Sequence, residues 1–174
     1  VSAITQEGRS VFTGKVKAYD GMTRSYDVEK GEFESLNRNH NHSLVINLGG
    51  PLTFKQNDRA TFFFSGEKIW DDGYLPHNRR EMTTGIGKIN LRPTNDLKVV
   101  LNGNYYSRDI LRYQHRDVNQ ISYDFNLNGL GKVQNKSYSF GTKVTYPPSQ
   151  NTSLTLKLHH FYTDIKQAPQ QLFD

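Results

Sequence analysis

The sequence predicts an all-β fold, namely an antiparallel, up-and-down transmembrane β-barrel segment that supplies about seven strands of a larger barrel. Three observations lead to this prediction. Apolar and polar residues alternate with a period of two, short and long connections alternate along the chain, and no apolar run approaches the ~18 residues of a membrane-spanning helix. Barrel strands need only about 9–11 residues each, which suits the low apolar share of 34%.

The alternation is clearest in the second half of the chain. Between Leu97 and Tyr106, the odd-numbered positions are mostly apolar and the even-numbered positions are mostly polar. Ser137–Tyr146 and Ser153–Tyr162 show the same pattern with even-numbered apolar positions. Weaker alternation predicts four earlier strands, which are Val11–Tyr19, Leu44–Leu48, Ala60–Ile69 and Thr83–Leu91. The pattern therefore predicts seven strands in total.

The connections between these strands alternate in length. Residues 49–58, 92–96 and 147–152 are short connections rich in Pro, Asn, Asp and Gly, which favour turns. Longer polar connections are predicted at about 20–43, 71–82 and 108–136, and residues 165–174 are expected to begin another. Outer-membrane barrels have this organisation, with short periplasmic turns and long extracellular loops. We interpret the run 121–127 as a hairpin arm within the third long loop, with an eighth strand as the alternative.

Aromatic residues recur where predicted strands end. Tyr19, Trp70, Tyr105 with Tyr106, and Phe161 with Tyr162 stand next to long connections, and Tyr146 stands next to a short one. Such rings form girdles at both interfaces of a membrane barrel. The alternative is that aromatics are simply common in strands. The position of these rings at strand ends favours the girdle.

Composition and motifs exclude several classes of protein. The net charge of +5 is scattered rather than clustered, so we expect no nucleic-acid partner. Cysteine is absent, which excludes a disulfide framework and a Cys-based zinc site. No phosphate-binding glycine loop, nucleophile elbow or convincing acid pair is present, so we predict no enzyme and no cofactor. No signal peptide begins at Val1, so we expect a processed or cut start.

Segments in order along the chain resemble TonB-dependent outer-membrane receptors. Ala3–Gly8 resembles the final strand of the plug domain, and Phe12–Val16 resembles the opening barrel strand. Leu48–Leu52 contains a Gly-Gly-Pro turn like the one after the second strand. Further similar segments are the third strand at Asp58–Glu67, its following loop at Asp72–Pro76, and the next hairpin at Leu91–Lys98. The resemblance covers most of Val1–Asp164.

The resemblance implies a domain organisation and an activity. Residues 1–9 would be the end of the plug, and residues 10–164 the N-terminal part of a 22-stranded barrel. The family imports a ligand across the outer membrane when the TonB energy-transducing complex pulls on the plug. The TonB-box segment, nearly all of the plug and most of the barrel are absent from the sequence, so the resemblance implies that the chain is a fragment.

Candidate ligand-binding residues are the aromatic and basic residues of the predicted long loops. They are Trp70, Tyr74, His77, Arg79, Arg80, Arg112, Tyr113, His115 and Arg116. The basic members suit an anionic ligand or lipopolysaccharide phosphates, and the aromatic members suit stacking on a sugar or aromatic ring. Solvated surface charge and loop packing are the simpler interpretations.

Two histidines form a candidate metal-binding pair. His40 and His42 are two residues apart, so they would share one face of an extended strand. The sequence offers no identifiable third or fourth ligand. We therefore expect a polar loop with solvated imidazoles and no metal site.

The sequence leaves three functions open. The first is a receptor that imports an unidentified ligand through the outer membrane of a diderm (Gram-negative) bacterium, with outer-membrane lipids and the TonB complex as partners. The second is a passive porin or structural barrel, and the third is a soluble β-sheet ligand-binding module. The plug-like segment Ala3–Gly8 favours the receptor over the porin.

Overall fold

The protein is all-β. A computed structural model describes residues 11–27, 32–52, 59–73, 79–111 and 131–169. The strands are β1 (Thr13–Asp27), β2 (Glu32–Pro51), β3 (Ala60–Asp71), β4 (Arg80–Leu91), β5 (Lys98–Leu111), β6 (Gly131–Ser149) and β7 (Thr152–Pro169). They form one open antiparallel sheet in which spatial order equals sequence order. The prediction of seven up-and-down strands is confirmed.

The strands are longer than the alternation predicts. β1 continues to Asp27 and β2 begins at Glu32, inside the segment predicted as a loop at 20–43. Likewise, β6 begins at Gly131 and β7 continues to Pro169. These segments are mostly polar in sequence, so the period-two signal weakens although the backbone ladder continues. Hydrophobic alternation therefore marks the amphipathic part of each strand rather than its full length.

The ends of the strands differ in the connections they meet. We call the end at which β1 and β2, β3 and β4, and β5 and β6 are joined the loop end, and the opposite end the turn end. At the turn end, only Gln150 and Asn151 separate β6 from β7. Between β4 and β5, the peptide nitrogen of Leu97 donates to Thr94 Oγ1 at 3.1 Å. Both connections agree with the predicted short turns.

Some predictions fall outside the described residues. These are the plug segment 1–9, the possible hairpin arm at 121–127 and the last part of the terminal connection, 170–174. In the part of the chain that is described, no helix has the length and apolar character needed to cross a bilayer.

Register places the apolar positions of all seven strands on one side of the sheet. Phe62 pairs with Ile89, Ile89 with Leu101, and neighbouring strands continue the row through Thr142 to Leu158. Because side chains alternate across a strand, the odd or even set of each strand shares one face. We call this side the apolar face and the opposite side the polar face.

The apolar face contains a band of five successive rows. From the turn end, representative members of the rows are Leu154, Leu156, Leu158, Phe140 and Tyr138. Among the described side chains, no Lys, Arg, Asp or Glu lies in this band. The next row towards the loop end contains the first charged residues of this face, Lys68, Lys136 and Asp164.

The sheet has almost no conventional hydrophobic core. Among the described residues, Leu111 is the one large apolar side chain that is buried, whereas Thr61 and Asn90 are buried on the polar face. Large apolar side chains of the band are instead exposed, including Leu158 at 62% and Phe140 at 53%. Exposed apolar surfaces larger than a few hundred Å² occur at protein–protein interfaces, membrane contacts and ligand-binding grooves.

Candidate functional site

The polar face carries an excess of positive charge. Within the strand segments whose side chains are described, its acidic residues are Glu67 and Asp71. Its basic residues are Lys15, Lys17, Arg80, Lys88, Lys98, Arg108, Lys143 and Lys157. Eight cations against two carboxylates give this face a charge of +6. The apolar face is balanced, since Lys68, Lys132, Lys136 and Lys166 oppose Asp20, Glu81, Asp109 and Asp164.

The lysines of the polar face concentrate towards the turn end. Lys143 and Lys157 are cross-strand partners, and Val100 separates Lys143 from Asn90 along the same row. Like charges opposite each other on a sheet are unfavourable unless water or an anion screens them. This pair therefore makes the turn-end half of the polar face an attractive region for negatively charged groups.

Uncharged side chains on the same face form cross-strand hydrogen bonds. Asn104 Nδ2 donates to Ser139 Oγ at 2.9 Å. One row away, Ser137 Oγ and Thr163 Oγ1 are 2.6 Å apart. Near the turn end, Asn90 Nδ2 donates to Thr61 Oγ1 at 3.5 Å. These contacts fix hydroxyl and amide groups on a surface that can bind water or polar solutes.

The predicted ligand-binding residues that are described do not form one site. Trp70 lies on the apolar face, with Lys68 Nζ 4.8 Å from the centre of its ring. Arg80 lies on the polar face and pairs with Asp71, with Nη2 and Oδ2 2.6 Å apart. Arg79 pairs with Glu81 of the apolar face at 3.0 Å. Tyr74, His77, Arg112, Tyr113, His115 and Arg116 lie outside the described residues.

The aromatic residues at strand ends divide between the two faces. Tyr105, Tyr138 and Tyr162 share the row of the band nearest the loop end. The Tyr138 and Tyr162 rings stack with centroids 5.0 Å apart. Trp70 and Tyr146 are also on the apolar face, whereas Tyr19, Tyr106 and Phe161 are on the polar face. Of the aromatic residues predicted at strand ends, only Tyr105 and Tyr162 therefore share a row, because proximity to a strand end does not determine the face.

Glycines leave a groove in the apolar face. Gly87 and Gly103 are cross-strand partners. They lie in a groove of about 390 Å³ whose lining includes Phe62, Phe64, Ile89, Leu101 and Phe140. The Phe64 ring also lies over neighbouring Gly66, because a Cβ placed there would be 3.2 Å from its Cζ. The groove is thus an apolar depression between aromatic side chains.

Sequence reasoning missed the basic polar face because its lysines are dispersed along the chain. Within each strand, these lysines occupy the positions that alternate with the apolar residues. That alternation would have placed them together on the face opposite the apolar one. Comparisons with known proteins add no identification: no family model, curated protein or solved structure matches this chain.

Proposed function

We propose that this chain forms part of the wall of an outer-membrane β-barrel, with its apolar face towards lipid and its polar face towards the lumen. The observation that carries the proposal is the mostly apolar band without Lys, Arg, Asp or Glu, whose two rows nearest the loop end are aligned by register across all seven strands. Alternating apolar-out and polar-in residues are the pattern of transmembrane barrel strands.

The dimensions of the band support this proposal. In β6 and β7, where all five rows are paired, the rows are separated by four steps of two residues. Since a strand rises about 3.4 Å per residue, the band is about 27 Å long there. At a tilt of about 40°, this length spans about 21 Å of membrane, close to the ~25 Å apolar band of outer-membrane barrels. The row of Tyr105, Tyr138 and Tyr162 would then lie where an aromatic girdle meets the lipid headgroups.

The open sheet supports a barrel larger than seven strands. β1 and β7 are the edge strands of the sheet. In hydrocarbon, each unpaired backbone group would cost several kcal/mol, so a membrane sheet must close. Further strands of the same protein would pair with these edges and complete the barrel.

Within this class, we favour a TonB-dependent receptor that imports an unidentified ligand, because of the ordered segments that resemble this family. Ala3–Gly8 is the segment that favours a plugged receptor over a passive porin. The +6 charge of the polar face favours a negatively charged ligand. Outer-membrane lipids would contact the apolar face, and the TonB complex would act through the plug.

The first experiment is fractionation of the intact parent protein in a diderm host, followed by protease treatment of whole cells. The proposal predicts recovery in the outer membrane, cleavage within residues 112–130, and protection of the turn at Gln150 and Asn151. Recovery in the soluble periplasm with equal cleavage of both segments would exclude the barrel and leave the soluble binding module.

A second experiment separates the receptor from the porin. Uptake of candidate anionic solutes is compared in cells with and without a functional TonB complex. Loss of uptake without the complex supports the receptor, whereas unchanged uptake supports a passive pore. Replacement of both Lys143 and Lys157 by Gln should lower uptake of anions more than uptake of neutral analogues, if the polar face lines the path.

A further inference from the structure

Three potential metal ligands meet at the loop end of the apolar face. Asp20 comes from β1, and His40 and His42 come from β2. One ligand atom of each residue lies within 4.8 Å of the ligand atoms of the others. His42 Nδ1 and Asp20 Oδ1 are 2.8 Å apart, and the two imidazole rings stack with centroids 5.7 Å apart and an interplanar angle of 9°.

The backbone register creates this cluster. Asp20 pairs directly with His42, and Met22 pairs directly with His40. His40 and His42 project from the same side of β2 because they are two residues apart. Asp20 therefore supplies the third ligand that the sequence alone did not identify, and the histidines lie in a strand rather than in the predicted loop.

We propose that Asp20, His40 and His42 bind one divalent transition-metal ion of the kind that prefers imidazole and carboxylate ligands, with Zn²⁺ as the representative. Two imidazoles and one carboxylate are an established ligand set for zinc, and water completes the tetrahedron. Zn²⁺, Cu²⁺ and Ni²⁺ all suit imidazole ligands. The site is distinct from the basic polar face, since it lies on the opposite side of the sheet.

Small side-chain movements convert the observed cluster into a coordination site. With metal–ligand distances of about 2.0–2.1 Å, neighbouring ligand atoms of a tetrahedron are about 3.3 Å apart. The Asp20–His42 pair would open by about 0.5 Å from its present 2.8 Å, and the widest separation, at most 4.8 Å, would contract by about 1.5 Å. Rotations of exposed side chains supply such movements without a change in register.

The surroundings leave room for coordination and provide a spectroscopic reporter. Asp20 and His42 are exposed, with side-chain exposures of 75% and 51%. Trp70 pairs across the sheet with His42 on the same face. Asp72 is also close, because its peptide nitrogen donates to His40 O at 3.0 Å. A paramagnetic Cu²⁺ ion bound beside Trp70 would therefore quench its fluorescence.

A bound ion would connect two strands beyond the apolar band. The ligands lie one and two rows past the first charged row, outside the apolar band. Metal binding would therefore stabilise the distal part of the β1–β2 hairpin.

Titration calorimetry of the intact, detergent-solubilised protein with Zn²⁺ tests this inference. We expect one bound ion, with affinity reduced at least about tenfold by Asp20→Asn, His40→Gln or His42→Gln, since each removes a ligand. His160→Gln is the matched control, because His160 is an exposed histidine of the same face in a different row. The His160→Gln variant should bind Zn²⁺ with the same affinity as the unchanged protein.

Three further measurements exclude indirect effects. Circular dichroism must show that each variant retains its β-sheet, and Cu²⁺ quenching of the fluorescence of Trp70, the single tryptophan of the sequence, must be weakened in His40→Gln and His42→Gln. Zn²⁺ should also slow proteolysis at the loop end of β1 and β2. No saturable Zn²⁺ binding, or equal weakening by His160→Gln and His40→Gln, would overturn the inference. Because these results depend on strand register, they stand or fall independently of membrane location and ligand import.

Discussion

Replacing Leu158 by arginine separates a lipid-facing surface from a water-facing one. Leu158 lies in the middle row of the five-row band and is 62% exposed. Its neighbour His159 projects from the polar face. Leu158→Arg and His159→Arg therefore introduce the same side chain at adjacent positions of one strand, with the face as the main difference.

In the proposed membrane orientation, Leu158 would lie near the bilayer midplane, and this depth sets the expected effect. Arginine at the bilayer midplane of a membrane barrel destabilises folding by about 2–4 kcal/mol. A loss of about 3 kcal/mol lowers the folding equilibrium constant by more than about 100-fold. His159→Arg should change the free energy of unfolding by less than about 0.5 kcal/mol, as expected of a surface substitution.

Both values can be measured on the intact protein by guanidinium titration of reversible folding into phosphatidylcholine vesicles. Equal losses for the two variants would refute the assignment of faces. A Leu158→Arg protein that keeps its stability and remains monodisperse without detergent would refute the membrane environment.

Two other substitutions test local packing. Gly50→Ala should lower the unfolding free energy by about 1–3 kcal/mol, because its Cβ would be 2.6 Å from Phe12 Cδ1. Gly87→Ala is the control, since no atom lies within 4 Å of its added Cβ; equal shifts in thermal midpoint would contradict this reasoning. Asp71→Ala removes the ion pair with Arg80 and a hydrogen bond from the Gly73 peptide nitrogen at 2.9 Å. It should cost roughly 1 kcal/mol or less and accelerate amide hydrogen exchange at the β3–β4 loop end, and unchanged exchange there would show that these contacts contribute nothing.

The sequence predicts the amphipathic centre of each strand because an apolar face opposite a polar face imposes a local period of two. Leu154, Leu156 and Leu158 repeat every second residue, and the same residues form three rows of the band. Phe63 and Ile86 interrupt the pattern, and both lie on the polar face. Occasional apolar residues on that face therefore obscure individual strands without changing the register of the sheet.

Features that depend on pairing between strands could not be predicted from the sequence pattern. Asp20 and His42 are 22 positions apart, and only the β1–β2 register shows that they meet. The +6 polar face likewise requires the orientation of every strand to be known together. The lengths of the strands were underestimated for another reason, since mostly polar segments provide little period-two signal. Of the nine candidate ligand-binding residues, those described are divided between the faces, because loop membership does not specify direction.

The identity of spatial order and sequence order has a consequence for how the sheet assembles. Every interface joins strands that are neighbours along the chain, and the widest pairing, Lys98 with Thr145, spans 145 − 98 = 47 positions. Closing loops of this length costs less conformational entropy than joining segments that are far apart in the sequence. The sheet can therefore grow by successive addition of hairpins, each using the previous strand as its template. Within a larger barrel, pairing of the two terminal edges would be the slow, long-range step.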